Sequence, residues 1–317
     1  KKHELTRDEF LEHAWDWTNK HGGIILNQLK KIGCSCDWSR TKFTLDKDMY
    51  ESVQNMFLKL YDDGYLYRDK KIVNWDPEAK TTLSNEEVIY KEKTAKLFYL
   101  KYKLESSEEF ILVATTRPET IFGYTAVAVN PNDKRYKKLV GKKLIVPLVN
   151  RVVPIIGDKS VDSEFGTGCL KVTPAHSEKD FEIGIRNNLD IIDIFNDDAS
   201  LNDYGMHYKS LDRFSVRKKI ITELDEKGLL DRADDYTHNI ALSERTSCVV
   251  EPKLSTQWFV RMKKLSNPAL DLVLTGDIQF YPKKYVKTYK NWLENIRDWN
   301  ISRQLYWGHR IPVFYLK

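Results

Sequence analysis

Along the first ninety residues apolar positions recur every three to four residues, the spacing of helices that bury one stripe. Thr6-Arg7-Asp8-Glu9 matches a capping box, and Phe10, Ala14 and Trp17 follow at helical intervals. Ile25, Leu29 and Ile32 predict a second helix, stopped by Gly33. A third starts near Asp46, carries Met49, Val53, Phe57 and Leu60 on one face, and stops at Gly64. These read as packing elements.

From about Lys96 the period changes. Residues 97–102, 110–115, 126–129, 144–146, 152–156 and 169–172 form short runs rich in β-branched and aromatic side chains, which read as strands. Helices are predicted near 178–188 and 213–227, the second closed by Gly228, and a strand at 257–260 precedes a helix near 283–296. The pattern predicts an α+β chain: a helical segment over 1–90, a compact β-rich domain over 91–235, and a return segment over 236–317.

Composition narrows the classes. Hydrophobic residues make up 41% of the 317 and aromatics 12%, enough to build cores and to exclude wholesale disorder. Lys and Arg number 51 against 46 Asp and Glu, and the resulting +5 tolerates an anionic partner without demanding one. No run of 18 apolar residues occurs, so no membrane span is expected. Cys34, Cys36, Cys169 and Cys248 do not make a disulfide framework in a chain this long, and a reducing, cytoplasmic setting fits them. Cys34 and Cys36 lack a second ligand pair, so no metal site is expected. The opening Lys1-Lys2-His3-Glu4 has no starting Met and no apolar signal region; it reads as the cut edge of a longer polypeptide, with no secretory route implied.

Two segments carry candidate chemistry. In Ala114-Thr115-Thr116-Arg117-Pro118-Glu119-Thr120 a strand ends in hydroxyls, a guanidinium and a carboxylate, which suits the wall of a site. The plainer reading is a strand-to-helix turn in which Thr116 or Thr120 satisfies backbone groups and Pro118 starts a helix. The second segment runs from Phe165 to Asp180. Gly166 and Gly168 allow close backbone approach, and Lys171 and Thr173 share strand parity, so both point to one face. Ser177 and Asp180 stand three apart at a helix start, where they also fit a capping box with Asp in place of Glu. His176 fits a hydrogen-bonded structural role as well as a chemical one. Lacking a third glycine, the loop is no dinucleotide fingerprint.

These two segments resemble the threonine-rich and glycine/histidine motifs of the editing domain in class I aminoacyl-tRNA synthetases, and Thr173-Pro174-Ala175-His176 looks like the valyl form of the second. The resemblance covers the whole chain. It takes in Ser35-Cys36-Asp37-Trp38, Val73-Asn74-Trp75-Asp76-Pro77, Gln257-Trp258-Phe259-Val260 and Asn291-Trp292-Leu293-Glu294-Asn295-Ile296. The most specific stretch runs from Trp299 through Asn300-Ile301-Ser302-Arg303-Gln304-Leu305-Tyr306-Trp307-Gly308-His309 to Pro312, and resembles the re-entry into the synthetic Rossmann domain. The resemblance therefore implies a barrel-like editing domain over 91–235, inserted between a helical flank and a Rossmann-flanking return. The two signature motifs that bind ATP in this family, of His-Ile-Gly-His and Lys-Met-Ser-Lys-Ser type, are not in this sequence. No cofactor is implied for the segment itself; ATP and Mg2+ belong to the parent enzyme's synthetic site, and valine activation by this segment is not expected.

What an editing site does is set by a weakness elsewhere. A valine pocket rejects the nearly isosteric threonine poorly, valyl enzymes being a standing example. The resemblance implies hydrolysis of the ester on mischarged Thr-tRNA(Val) by a site-oriented water, at the tRNA acceptor end, by a monomer. It gives Asp180 as the anchor of the substrate ammonium. Thr120, Arg117, Phe165, Lys171 and Thr173 stand at pocket positions, with Lys171 for developing negative charge or the terminal ribose. Phe165 is the implied wall against the ligand or terminal adenine. Gly166, Gly168 and Thr116 are the implied donors near the ester, His176 lies in the binding motif, and Ser177 is the implied reader of the threonine hydroxyl, the threonine/valine moiety being the amino acid bound. Two positions depart from the family pattern. Ser177 stands where many valyl enzymes have Asp, and Gly123-Tyr124-Thr125 replaces Gly-Asp-Thr, putting a larger Tyr124 at the expected rim. Those departures leave open an alternative, a non-catalytic tRNA-docking or structural insertion whose editing has decayed. Two further features stay open. Lys283, Lys284, Lys287 and Lys290 interleave with Tyr285, Tyr289 and Trp292, which fits helix packing or a phosphate track. Ser243 to Cys248 falls where some relatives carry a zinc knuckle, which one cysteine cannot form.

Overall fold

The computed structural model describes residues 4–316; Lys1-Lys2-His3, on which the cut-edge reading chiefly falls, lie outside the described residues. In chain order the elements are α1 (Arg7–Lys31), α2 (Lys47–Asp62), β1 (Leu66–Asp76), β2 (Thr81–Leu83), β3 (Val88–Leu104) and β4 (Phe110–Thr115). There follow β5 (Ala126–Val129), β6 (Lys143–Ile145), β7 (Val152–Gly157), β8 (Cys169–Val172), α3 (Glu178–Arg186) and α4 (Arg213–Glu226). The chain ends through β9 (Leu230–Ser243), β10 (Glu251–Val260), α5 (Met262–Leu274), α6 (Tyr285–Glu294) and β11 (Trp299–Asn300). The chain is mixed α+β, and it divides into two compact units, one of residues 69–257 and one of 1–68 with 258–317. The divisions expected at 90/91 and 235/236 fall inside β3 and β9.

The terminal unit is mainly helical. The Thr6 capping box forms, with Thr6 and Glu9 bonding reciprocally. The two helices expected over its first 33 residues are one, because α1 runs without a break through Gly22 and Gly23. A glycine costs an exposed helix interior about 1 kcal/mol, which weakens a 25-residue helix without stopping it. Gly33, at φ +84°, does stop it. α5 has no counterpart among the expected elements: Pro268 sits inside it and masks the pattern. The all-helical expectation for the first ninety residues also fails over 66–83, where β1 and β2 pair antiparallel through Asn74–Leu83 and Asp76–Thr81. Arg68-Asp69-Lys70-Lys71 hides the alternation there.

The 69–257 unit is built on a seven-stranded sheet of order β4-β3-β6-β7-β5-β8, with β9 on β3. Among the described residues β5 and β7 pair in parallel and the other neighbours in this sheet antiparallel. The sheet curls until its two end strands, β4 and β8, lie beside each other, which gives the barrel-like form expected of this domain. Its interior is packed by residues such as Leu100, Tyr102, Val113, Val127 and Ile155, and is covered by Val216, Ile220 and Leu224 of α4. These side chains alternate along their strands because the pleat sends successive residues to opposite faces. The seam between β4 and β8 is where the two candidate segments meet.

Candidate active site at the strand seam

β8 ends at Val172, and residues 173–176 make a β-turn closed by His176 N–H donating to the Thr173 carbonyl at 3.0 Å. Pro174 holds the second position, where its fixed φ suits the turn. Ser177 then caps α3, its hydroxyl accepting from Asp180 N–H at 3.3 Å. This local sequence of strand, turn and cap brings four side chains together. Lys171 Nζ donates to Thr173 Oγ1 at 2.6 Å and to Asp180 Oδ2 at 2.9 Å. Thr173 gives the same carboxylate oxygen its backbone N–H at 2.9 Å and its hydroxyl at 3.0 Å. Ser177 Oγ donates to Asp180 Oδ1 at 3.1 Å. Asp180 is 2% exposed, so its charge is held by these donors rather than by water. The shared face expected for Lys171 and Thr173 is present, and so is the plainer capping role of Ser177.

The opposite wall is the end of β4. Thr115 Oγ1 accepts from Arg117 N–H at 3.0 Å, and Pro118 begins a short 3-10 turn, Pro118–Gly123. The Arg117 guanidinium donates to the His176 carbonyl at 3.1 Å, contacts Glu119 at 3.4 Å and pairs with Glu251 of β10. Burial works against its charge, yet Glu251 and Glu119 carry its pKa above the usual guanidinium value. Glu119 is itself fully buried and takes both its oxygens to Arg217 of α4, at 2.8 and 2.6 Å. Arg213 lies 3.4 Å from Glu251. Arg117 is thus fixed by a buried ion network that joins β4, α4 and β10, and its free capacity for a ligand is correspondingly small.

His176 has a positioning geometry. Its Nε2 accepts from Ile194 N–H at 3.1 Å, and its ring meets Phe195 edge to face at 4.8 Å. Burial, reinforced by the nearby cations of Arg117, Lys171 and Lys253, holds its pKa well below the usual imidazole range. It is a neutral ring, locked to the 192–195 segment.

Between the walls lies a cleft of about 290 Å³, lined by Thr115, Thr116, Arg117, Lys171, His176, Ser177, Glu178 and Pro252. Five of the sequence-derived residues therefore line it: Thr116, Arg117, Lys171, His176 and Ser177. Thr173 and Asp180 lie directly behind Lys171 and Ser177, buried. Thr120 does not reach it; it is fully buried, and its hydroxyl donates to the Arg117 carbonyl at 2.8 Å. Phe165, Gly166 and Gly168 are outside the lining. Gly168, at φ +79°, sits where a Cβ would strike Arg135 Nη2 at 2.6 Å, and its N–H closes a turn onto the Phe165 carbonyl. Gly166 packs against Ala114, whose Cβ would be 2.9 Å from an added methyl. Phe165 is 49% exposed and meets Tyr236 edge to face.

Tyr124 is not at the rim. It is fully buried, stacked on Tyr102 at 6.3 Å, and burial pushes its hydroxyl up to about 12. It still reaches the site from below, because Lys171 Nζ stands 5.8 Å over its ring. Ser243 to Cys248 wraps a different anchor. Asp76 accepts from Ser243 at 2.6 Å, Thr246 at 2.8 Å and Cys248 at 3.2 Å, and from the Glu78 and Ala79 amides. Sequence reasoning missed Glu251 and Pro252 on β10 and Arg217 on α4; nothing near them in the chain signals a site. Among the described residues no group of three His, Cys, Asp or Glu side chains is placed to hold a metal ion.

The arrangement offers a cation backed by a buried carboxylate, hydroxyls at the mouth and a rigid turn between them. It can bind a polar ligand and stabilise negative charge. The family of class I tRNA synthetases (I, L, M and V) matches residues 1–317. Valine--tRNA ligase of Christiangramia forsetii is 58% identical over 99% of this chain, that of Bacteroides fragilis 57% over 100%, and that of Thermotoga maritima 52% over 99%. A solved LeuRS–tRNA–LeuAMS ternary complex from Agrobacterium radiobacter K84 is similar over 62% of this chain and 33% of that one, with 20% identity and a TM-score of 0.36. The chain spans 36% of the length of each of those three ligases. It belongs to the class I tRNA synthetases of the I, L, M and V group, and the relatives it matches over its whole length are valine--tRNA ligases.

Proposed function

We propose that this chain is the editing portion of a valine--tRNA ligase and hydrolyses the ester of threonine mischarged on tRNA(Val). The observation that carries the reading is the Lys171–Thr173–Asp180–Ser177 cluster facing a cleft at the strand seam. Asp180 Oδ2 is taken by three donors, whereas Oδ1 has one, from Ser177, and keeps acceptor capacity for the substrate ammonium. Lys171 presents a cation to the cleft, where negative charge grows on the ester carbonyl as water adds. Thr116 and Ser177 supply hydroxyls at the mouth, and Ser177 reads the threonine hydroxyl. Water is the nucleophile: it adds to the ester carbonyl, the tetrahedral intermediate collapses, and the ribose hydroxyl leaves with a proton. The ammonium anchor and the hydroxyl reader fix the acyl group; the buried Glu119–Arg217 and Arg117–Glu251 pairs hold the wall in place.

The test is hydrolysis of Thr-tRNA(Val) and Val-tRNA(Val) by the purified chain. Threonine release above the uncatalysed rate, with valine spared, supports the reading. Binding of the tRNA end without release supports instead a docking insertion, which the internal pairing of Asp180 with Lys171 would favour.

A further inference from the structure

β3 and β9 pair antiparallel from Val88–Ser243 to Leu100–Leu230, so directly opposed residues share a face. Over residues 88–96 the two strands form a ribbon whose faces differ in chemistry. One face carries Tyr90 opposite Ala241, Glu92 opposite Asn239, Thr94 opposite Thr237, and Lys96 opposite Asp235, a single ring with no ring across from it. The threonine hydroxyls meet at 3.1 Å and the Lys96–Asp235 pair at 2.8 Å, so this face is internally satisfied and holds two acids to one base. The other face carries Lys91 opposite Ile240, Lys93 opposite His238, and Ala95 opposite Tyr236. The register sets no acid opposite Lys91 or Lys93, both exposed, and Asp234, the next acid along this face of β9, is bonded to Arg232.

The aromatic rings on this second face are ordered. Tyr236 and His238 stack, with centroids 5.3 Å apart and planes at 17°, and Phe165 meets Tyr236 edge to face at 5.8 Å. Phe165 belongs to the loop whose Gly166 packs on Ala114 of β4, which pairs with Tyr99 of β3, so the row of rings continues along the sheet. Stacking surfaces flanked by cations along an extended path are what unpaired nucleotides need: π-faces for the bases and lysines for the phosphates. An acidic peptide would use the lysines and leave the rings idle.

We infer that the ribbon face bearing Lys91, Lys93, Tyr236 and His238, with Phe165 at its foot, is a docking surface for single-stranded nucleic acid; naming that strand as the tRNA 3′ end rests on the proposed function. Base stacking occurs on Tyr236 and His238, and the phosphates track Lys93 and Lys91.

The experiment is fluorescence anisotropy of a labelled single-stranded RNA hexanucleotide with the wild-type chain and four variants. Tyr236→Leu weakens binding about tenfold, in line with the loss of one stacked base, while Tyr236→Phe binds as wild type. Lys91→Gln with Lys93→Gln lowers the slope of log affinity against log salt by about 1.4, two contacts at roughly 0.7 each. Lys96→Gln, a charge removed from the opposite face, leaves binding unchanged. Equal loss from Lys96→Gln, no effect of Tyr236→Leu, or no binding by the wild type overturns the proposal. Deacylation of Thr-tRNA(Val) is followed on the same preparations. Oligonucleotide binding without deacylation removes the editing function and keeps the surface; deacylation whose KM ignores all four variants removes the surface and keeps the function.

Discussion

Lys171 Nζ lies 2.9 Å from Asp180 Oδ2, with the two side chains only 14% and 3% exposed. The carboxylate at the centre of the site is therefore neutralised from within, and it orders the lysine as much as it awaits a ligand. Removing either partner acts on fold and site together.

Asp180→Ala leaves the Lys171 ammonium and the Thr173 amide without their acceptor. Breaking one side of such a buried pair costs about 3–5 kcal/mol, whereas replacing both sides by apolar groups is close to neutral. Urea unfolding is expected to show a large loss for Asp180→Ala and recovery in Lys171→Met with Asp180→Leu. Neither variant is expected to release threonine from Thr-tRNA(Val). An unchanged urea midpoint for Asp180→Ala would contradict the geometry.

Ser177 separates capping from recognition. Ser177→Ala removes an N-cap worth about 1 kcal/mol. If Ser177 also reads the substrate hydroxyl, the ratio of Thr-tRNA to Val-tRNA hydrolysis falls in Ser177→Ala and rises in Ser177→Asp, since a carboxylate accepts more strongly. A ratio indifferent to both substitutions reduces Ser177 to its cap.

His176 makes stability depend on pH. Burial depresses its folded pKa well below 6.5, so the folded and unfolded chains bind protons equally above that value. As pH falls below about 6.5 the unfolded state takes up a proton that the folded state refuses, and stability drops at a limiting slope of about 1.4 kcal/mol per pH unit. The loss continues down to the folded pKa. His176→Gln keeps an acceptor for Ile194 N–H but does not titrate, so the difference in urea midpoint between wild type and variant should narrow from pH 7.5 to 5.5. Parallel pH profiles would rule this out.

Gly184 reverses the usual expectation for a helical glycine. Alanine in an exposed helix interior gains about 1 kcal/mol over glycine. Here an added Cβ would stand 2.8 Å from Pro174 Cγ, a ring that cannot rotate away. Gly184→Ala should then lose about 1–3 kcal/mol by overpacking. It should slow threonine release further, because α3 carries Asp180 away from Lys171. Higher thermal stability in the variant would show that the turn yields.

Much of the site's local form was legible in the chain. Thr6 with Glu9, Ser177 with Asp180, and Pro118 at a turn start are each settled within three or four residues, where a side chain meets its own backbone. The strand runs at 97–102, 110–115, 126–129 and 169–172 matched observed strands because pleat and burial impose a period of two. The same locality explains the failures. Arg68-Asp69-Lys70-Lys71 interrupts β1, and Pro268 interrupts α5, yet both elements form, their neighbours supplying what the local pattern lacks.

The sequence by itself determined which residues could sit near a strand end and a helix start, and the family to which the chain belongs. Tertiary structure alone decided what those residues do there. Arg117 finds Glu251 across 134 positions and Glu119 finds Arg217 across 98, and those pairings turn a candidate ligand-binding guanidinium into a fixed wall. Tyr124, expected at a rim, is in the core because the curl of the sheet brings Tyr102 over it. A buried charge is tolerable only where the fold delivers its partner, and an aromatic ring is core or rim according to what packs on it. Neither partner is encoded within the short span that a sequence pattern can read.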